Sequence, residues 1–376
     1  MTSTNKKNRH QSIRYLQQHH ATANQDGNES NTILIQSKCH CGKVVLDISI
    51  PNEYNSKNDS NVTVWNCHCH SCRRYHTAAY VSYLQVPRDQ VVSISDPKLI
   101  GTYVSSCTSC TSKDNDNNTD TVMERWYCTE CSSKLLSVVS KKTSAKNESL
   151  GSVQEQSTTT CLINLGPIDA DTIPQTHSHQ WKEQLKQIEN NLHSSPTESS
   201  SCPCRWSGVL PSNNTETMSY SARRKLQLPK AKIWSGGCDC GACKYEITLT
   251  RLTQLQHCYC NLCRKLSGGP YSSWLPVDKK HFRWKQSSSK SVTLVRTTSV
   301  GQRHICNKCR GIMTIVYDDQ PNLIWPCAGG LDDATLPDSS DDMGSLLSRV
   351  CHICCRNLPP WIELPEDGTE KLPDAC

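Results

Sequence analysis

The 376-residue chain is poor in the residues that fill a large hydrophobic core. Hydrophobic residues make up only 35% of it, and Phe282 is its single phenylalanine. Ser, Thr, Asn and Gln are abundant instead. Such a composition cannot bury an apolar core along the whole chain. We therefore expect part of the chain to be disordered and the rest to form small domains that need cross-links.

The sequence also lacks the signals of membrane insertion and secretion. No stretch approaches the roughly 18 apolar residues of a membrane-spanning helix, so no membrane partner is expected. The N-terminal segment lacks the apolar centre of a secretory signal, which predicts a cytoplasmic or nuclear protein. Basic residues near the N-terminus, such as Lys6 and Arg9, leave organelle targeting open. The net charge of +6 permits an anionic partner without requiring one.

Cysteine is abundant, and its arrangement is ordered. Of the 25 cysteines, fourteen form two series, each reading CxC, then CxCxxC, then CxxC. The first series is Cys39, Cys41, Cys67, Cys69, Cys72, Cys128 and Cys131, and the second is Cys238, Cys240, Cys258, Cys260, Cys263, Cys306 and Cys309. The offset between matching motifs falls from 199 to 191 to 178 residues. A tandem duplication explains this, with insertions in the first copy at the polar loops 52–61 and 105–121.

Seven cysteines per copy divide naturally into four and three. In a reducing compartment clustered cysteines are more often zinc ligands than disulfides. Structural zinc sites have four protein ligands, whereas catalytic sites have three and an exchangeable position. We predict closed four-cysteine sites from each CxC and its distant CxxC, namely Cys39, Cys41, Cys128 and Cys131, and Cys238, Cys240, Cys306 and Cys309. Each domain would then hold up to two zinc ions.

The remaining three cysteines of each copy predict a second kind of site. A metal held by three thiolates keeps a position open for water or for a thiol, which the metal would bind as the thiolate. We call Cys67, Cys69 and Cys72 the first trio, and Cys258, Cys260 and Cys263 the second trio. The alternative is a closed structural site, with His68 or His70 as the fourth ligand of the first trio.

Basic residues follow both trios directly. They can offset thiolate charge or bind a carboxylate substrate, or they can simply face solvent. They are Arg73 and Arg74 in the first copy, and Arg264 and Lys265 in the second.

The other cysteines say less about function. Cys107, Cys110, Cys202 and Cys204 either form an added zinc site or are unrelated pairs, and the second interpretation is favoured. Cys351, Cys354 and Cys355 cluster near the C-terminus, with no CxC or CxxC pair at a telling spacing from them, and Cys376 is expected to be a free thiol. Cys161, Cys243 and Cys327 lie in strand-like segments and are expected to be small buried hydrophobic residues.

Short β-branched segments between turns predict an all-β fold for each half, and Val44–Ile50 is a good example. Apolar residues at helical spacing predict a short helix over Trp181–Leu192. The predicted organisation is a disordered arm (1–31), a first zinc domain (32–175), a linker (176–232), a second zinc domain (233–366) and a tail (367–376).

The motifs resemble a known family. Cys39-His-Cys-Gly42, Cys67–Arg74, Cys238-Asp-Cys-Gly241, Cys258–Gly268 and Gly330-Leu-Asp-Asp333 resemble the glutathione-dependent formaldehyde-activating family, which includes centromere protein V. The resemblance implies two small zinc-binding β-tent domains. It also implies a carbon–sulfur lyase activity that joins formaldehyde to the glutathione thiol and gives S-hydroxymethylglutathione.

The second copy matches this family better than the first. It keeps the segment Arg264-Lys-Leu-Ser-Gly268, whereas the first copy has Arg73-Arg-Tyr-His-Thr77. The resemblance therefore implies Cys258, Cys260 and Cys263 as the catalytic site, and we predict that Arg264 and Lys265 bind glutathione.

A non-catalytic alternative is a zinc-stabilised interaction module that binds chromatin or nucleic acid, as centromere protein V suggests. The near-balanced charge and the lack of a long basic run within either cysteine series favour the enzyme. Zinc storage is disfavoured, because an ordered repeat is more than storage needs.

Overall fold

The computed structural model describes residues 32–52, 62–105, 119–143, 159–194, 219–223, 225–337 and 344–374. The predicted N-terminal arm and Cys107, Cys110, Cys202, Cys204 and Cys376 lie outside these ranges. Among the described residues β-strands predominate over helices, which confirms the all-β prediction. The α-helices found within them are α1 (His70–His76), α2 (Gln175–Ser194), α3 (Tyr220–Arg223) and α4 (Asn261–Ser267).

The first half contains a three-stranded and a six-stranded antiparallel sheet. Their strand orders are β1-β2-β5 and β3-β4-β9-β8-β7-β6. The strands are β1 (Thr32–Lys38), β2 (Val45–Pro51), β3 (Thr63–Cys67), β4 (Val81–Pro87), β5 (Val91–Ser93), β6 (Ile100–Ser105), β7 (Thr119–Cys128), β8 (Lys134–Thr143) and β9 (Thr159–Asn164).

The second half has a matching three-stranded sheet and, in place of the six-stranded sheet, one sheet of four strands and one of five. Their orders are β10-β11-β15, β13-β12-β20-β21 and β14-β19-β18-β17-β16. The strands are β10 (Gln227–Gly237), β11 (Lys244–Arg251), β12 (Thr253–Cys258), β13 (Ser272–Trp274), β14 (Val277–Asp278), β15 (Phe282–Trp284), β16 (Val292–Arg296), β17 (Gly301–Cys306), β18 (Ile312–Tyr317), β19 (Leu323–Pro326), β20 (Leu347–Ile353) and β21 (Glu370–Lys371).

The hydrophobic core of the first half follows from alternating apolar residues. In β2, Leu46, Ile48 and Ile50 point inward and are almost completely buried. Successive side chains of a strand point to opposite faces, so this spacing gives one apolar face. Helix α2 includes the predicted helix and is longer at both ends. Its Trp181 packs edge-to-face on Trp361 from the C-terminal segment, with ring centroids 6.3 Å apart, so residues far apart in sequence complete this core.

One strand breaks the correspondence between the halves. In the first half β3 lies at the edge of its sheet. Its counterpart β12 instead pairs in parallel with β20, which comes from the C-terminal part of the chain. The second half therefore has an additional strand beside the segment that leads into the second trio.

The two halves pack on each other through glycines that allow close backbone approach. Helix α1 lies against Gly329, where an added Cβ would come within 2.8 Å of the Arg73 carbonyl oxygen and overlap the Ala78 carbonyl. In the reciprocal contact, a Cβ on Gly166 would overlap the Arg264 carbonyl of α4. The helix that follows each trio thus contacts the opposite half. Within the described residues, no helix is long and apolar enough to cross a membrane.

We predict that Gly329→Ala lowers the free energy of unfolding by about 2 kcal/mol, because the new methyl group overpacks the contact with α1. Gly330→Ala is the matched control, since a Cβ there meets its nearest atoms at 3.4 Å, an ordinary contact distance. The measurement is denaturant unfolding at a fixed zinc concentration. Equal stabilities for the two variants would contradict the close contact.

Candidate metal centres

The structure brings together the four predicted cysteines of the first copy. Cys39 and Cys41 lie in the turn after β1, Cys128 ends β7, and Cys131 lies in the turn between β7 and β8. The Sγ atoms of Cys39 and Cys41 are 3.4 Å apart, and those of Cys41 and Cys128 are 3.7 Å apart. All four sulfurs lie within 4.8 Å of one another, so this group can hold a metal ion.

The second copy forms the same kind of group from Cys238, Cys240, Cys306 and Cys309. Its Sγ distances are 3.5 Å from Cys238 to Cys240 and 3.6 Å from Cys240 to Cys306. Zinc bound tetrahedrally to four thiolates at about 2.3 Å gives sulfur–sulfur distances of about 3.8 Å. Both groups are therefore close to the size that a zinc ion requires.

Local backbone geometry aims amide groups at these sulfurs. The Val44 amide donates to Cys39 Sγ at 3.2 Å, and the Cys243 amide donates to Cys238 Sγ at 3.3 Å. Hydrogen bonds to a thiolate favour the ionised form. Within the first group, hydrogen bonds from Cys128 and Cys39 lower the pKa of Cys131, and the bond to Cys131 raises the pKa of Cys128. Four adjacent thiolates repel one another, so full ionisation calls for a bound cation.

The two trios are also assembled, each at the start of a short helix. The sulfurs of Cys67, Cys69 and Cys72 lie within 4.8 Å of one another, and so do those of Cys258, Cys260 and Cys263. The middle cysteine caps the helix in both cases. Cys69 accepts a hydrogen bond from the Cys72 amide, and Cys260 accepts one from the Cys263 amide. The CxCxxC spacing therefore produces a strand end, a capping sulfur and a first-turn sulfur on one side of the chain.

A buried arginine lies behind each trio. Arg125 donates to Cys72 Sγ at 3.4 Å, and Arg303 donates to Cys263 Sγ at 3.7 Å. They are 0% and 3% exposed. Sequence analysis missed both residues, although they are 178 residues apart, the same offset as Cys128 and Cys306. The sequence did hold a signal, because an arginine stands three residues before the CxxC of each copy.

The first trio has further polar neighbours. The Tyr83 hydroxyl lies 3.4 Å from Cys72 Sγ and 3.0 Å from His76 Nε2. His76 Nδ1 lies 2.6 Å from the Ser267 carbonyl oxygen, which makes Nδ1 the donor and Nε2 an acceptor. Burial, together with the charge of Arg125, lowers the pKa of His76 to about 3. The imidazole is therefore neutral at pH 7 and accepts from Arg125 or Tyr83.

The basic residues after the first trio take part in contacts with the second half. Arg73 Nη2 donates to Asp333 Oδ2 at 2.5 Å, and Arg74 forms an ion pair with Asp332. His70 Nδ1 also lies 3.3 Å from Asp333 Oδ2. Burial raises the pKa of Asp333, but hydrogen bonds from His70 and Arg73 outweigh it and hold this pKa well below its usual range.

The basic residues after the second trio are likewise near the interface. The buried guanidinium of Arg264 donates to the carbonyl oxygens of Tyr259 and Gly166, and to Asn261 Oδ1. Lys265 is half-buried, and burial lowers its pKa while the Asp169 carboxylate raises it. The predicted role of Arg264 and Lys265 in glutathione binding stays a prediction. In this conformation Arg264 serves the packing of the two halves.

The expected buried cysteines are confirmed. Cys161, Cys243 and Cys327 are at most 2% exposed. Cys243 lies beside the second four-cysteine group, at the position that Val44 occupies in the first copy.

Comparison with known proteins identifies the family. The model of the glutathione-dependent formaldehyde-activating enzyme family matches two segments, residues 34–183 and 233–345. Together these segments cover more than half of the chain. The chain belongs to this family.

Individual relatives are more distant. A protein from Halomonas elongata named as a putative glutathione-dependent formaldehyde-activating enzyme is 28% identical over 136 residues, which span 35% of this chain and 81% of the relative. A solved structure of a Rhodobacter sphaeroides protein is 17% identical and covers 28% of this chain and 89% of its own, with a TM-score of 0.22. The two matched family segments agree with the duplication inferred from the cysteine motifs.

We predict that Cys238→Ser removes about one equivalent of bound metal, because a closed four-thiolate site loses a ligand. Cys243→Val is the matched control. It removes a neighbouring thiol and substitutes the residue that the first copy has at this position. The measurement is metal content per protein by elemental analysis after gel filtration. Metal loss from Cys243→Val, or full retention by Cys238→Ser, would contradict the proposed ligand set.

We predict that Arg125→Met weakens metal binding by the first trio about 10- to 100-fold, as loss of a group that supports a metal ligand does. Arg303→Met is predicted to do the same to the second trio, and Arg125→Lys should restore part of the loss because it keeps the charge. The measurement is competition with a chromophoric chelator. If both methionine variants release metal at the same chelator concentration as the wild type, then the arginines contribute to packing alone.

Proposed function

We propose that the protein binds zinc and catalyses addition of the glutathione thiol to formaldehyde, which is a carbon–sulfur lyase-type reaction written in the synthetic direction. The glutathione sulfur bonds to the aldehyde carbon, and the thiol proton ends on the former carbonyl oxygen. The product is S-hydroxymethylglutathione. The observation that carries the proposal is a pair of largely buried three-sulfur groups, each with an arginine donating to its third cysteine, in a chain of the formaldehyde-activating family.

The donor sets support zinc as the metal. Thiolate sulfur is a soft ligand that zinc accepts, and the four-cysteine groups have sulfur distances near those of a tetrahedral zinc site. Zinc bound by a trio would stabilise an additional thiol as its thiolate at neutral pH.

The protein's own residues give the trios a favourable setting for anionic sulfur. Arg125 and Arg303 each direct a positive charge at the third cysteine of a trio, and the amide of that third cysteine donates to the second cysteine, which caps the helix. These groups offset the negative charge that accumulates when three thiolates meet. The sulfurs are largely buried, which strengthens these interactions.

We predict that the fully metal-loaded protein binds reduced glutathione, because a metal held by three thiolates has an exchangeable fourth position that the glutathione thiol can occupy. The measurement is isothermal titration calorimetry with glutathione, using S-methylglutathione as the control ligand because its sulfur cannot ionise. Cys69→Ser and Cys260→Ser, titrated separately, identify the accepting trio by loss of binding. Formaldehyde turnover follows as the second assay.

Equal binding of glutathione and S-methylglutathione would show that the sulfur does not reach the metal. Absence of binding by fully loaded wild-type protein would rule out the glutathione proposal. The remaining interpretation would then be a zinc-stabilised interaction module.

A further inference from the structure

The second trio lies beside strand β20, and the first trio has no corresponding strand beside it among the described residues. Strand β20 runs parallel to β12, and Ile353 lies opposite Cys258 in the register of the pair. The Tyr259 amide donates to the Ile353 carbonyl oxygen at 3.0 Å. The next residue after β20 is Cys354, so the sheet register carries this cysteine to the second trio.

The sulfur of Cys354 is at a shared-metal distance from one trio sulfur, that of Cys258, and lies outside the group of three sulfurs that are all within 4.8 Å of one another. Cys354 Sγ lies 3.9 Å from Cys258 Sγ, and Cys354 also interacts with the Cys260 thiol. The sulfur distances within the four-cysteine groups are 3.4 to 3.7 Å. The edge of a tetrahedral zinc–thiolate site is about 3.8 Å.

The C-terminal segment holds Cys354 in a specific backbone conformation. Its φ of 57° is in the left-handed region, which is uncommon for a residue other than glycine. The Cys354 amide donates to the Asp374 carbonyl at 3.1 Å, and the Cys355 amide donates to the Leu372 carbonyl at 3.0 Å. Parallel pairing of β21 with β20 adds to these contacts.

This arrangement is particular to this chain's second half. Cys354 lies outside residues 233–345, the segment that the family model matches. In the first half, β3 is an edge strand with no counterpart of β20 beside it among the described residues. The fourth sulfur therefore comes from outside the matched segment.

We propose that Cys354 is the fourth ligand of the metal bound by Cys258, Cys260 and Cys263, so that this site is a closed tetrathiolate site. The proposal rests on metal binding by the trio, as proposed above. A tetrathiolate zinc has no exchangeable position. Glutathione would then have to displace Cys354 in order to bind there, so the first trio would be the site that accepts it.

The direct test is ¹¹³Cd NMR of the cadmium-substituted full-length protein. Each site gives its own resonance, and the chemical shift moves downfield with each coordinated thiolate. We expect one tetrathiolate resonance of the wild type to shift to the three-thiolate region in Cys354→Ser. Cys355→Ser is the matched control, since it removes the adjacent half-buried thiol, and its spectrum should equal that of the wild type.

Two outcomes would overturn the proposal. One is a Cys354→Ser spectrum identical to that of the wild type, and the other is an equal shift in Cys355→Ser.

A second measurement needs no variant, which covers the case that Cys354→Ser does not fold. In the zinc-loaded protein, alkylation of Cys354 by iodoacetamide should be about tenfold slower than that of Cys355, because a coordinated thiolate is protected. Peptide mass spectrometry measures both sites in one sample. Chelation of the metal should remove the difference. Equal rates in the loaded protein would contradict coordination by Cys354.

These tests separate the ligand assignment from the proposed activity. If the cadmium resonance shifts and the protein binds no glutathione, then Cys354 is a ligand and the glutathione proposal fails. Suppose instead that the wild type binds glutathione, that Cys260→Ser abolishes this binding, and that Cys354→Ser leaves the cadmium spectrum unchanged. The second trio is then open and the present inference fails.

Discussion

Sulfur contacts between segments far apart in sequence are the constraint on which each half depends. Cys41 meets Cys128 across 87 residues, and Cys240 meets Cys306 across 66. Each contact joins the start of a domain to the hairpin turn before its later strands. A metal at such a site typically contributes on the order of 10 kcal/mol to folding. That is comparable to the whole stability of an ordinary domain, so a bound metal would supply a large part of the stability of each half.

The second constraint is the reciprocal packing of the halves. Ser71 in α1 donates to Asp239 Oδ1 at 2.6 Å, and Asp239 lies between two cysteines of the opposite four-cysteine group. Lys134 Nζ donates to the Arg310 carbonyl at 2.5 Å, beside the CxxC of the other half. Burial lowers the pKa of Lys134 to about 7, and the negative charge of nearby metal-bound thiolates would act in the opposite direction. A metal bound at the four-cysteine group of the second half would therefore change the electrostatics of the interface.

Much of the fold and of the metal-ligand geometry followed from spacing alone. CxC and CxxC motifs are turn-forming and locally rigid, so their repetition predicted both four-cysteine groups, and alternation predicted strands such as β2. The sequence did not reveal what lies across the interface. Arg73 and Arg264 follow the trios in sequence, which suggested that they bind substrate. In the structure Arg73 pairs with Asp333 and Arg264 donates to the Gly166 carbonyl. Both are tertiary contacts with the other half, which the sequence does not reveal. Nor did spacing reveal Cys354, because a parallel strand from the C-terminus brings it to Cys258.

The asymmetry of the halves has a physical consequence for where chemistry can occur. A duplicated site needs only one copy to keep an exchangeable position, and the other copy can gain a ligand without loss of function. Family likeness alone favours the second half, since it keeps Arg264-Lys-Leu-Ser-Gly268. That segment, however, is buried against the first half, and Gly268 lies where a Cβ would come within 2.9 Å of Asn164 and Lys134. The glycine is thus explained by packing without reference to a ligand, so motif preservation in the second half is weak support for catalysis there.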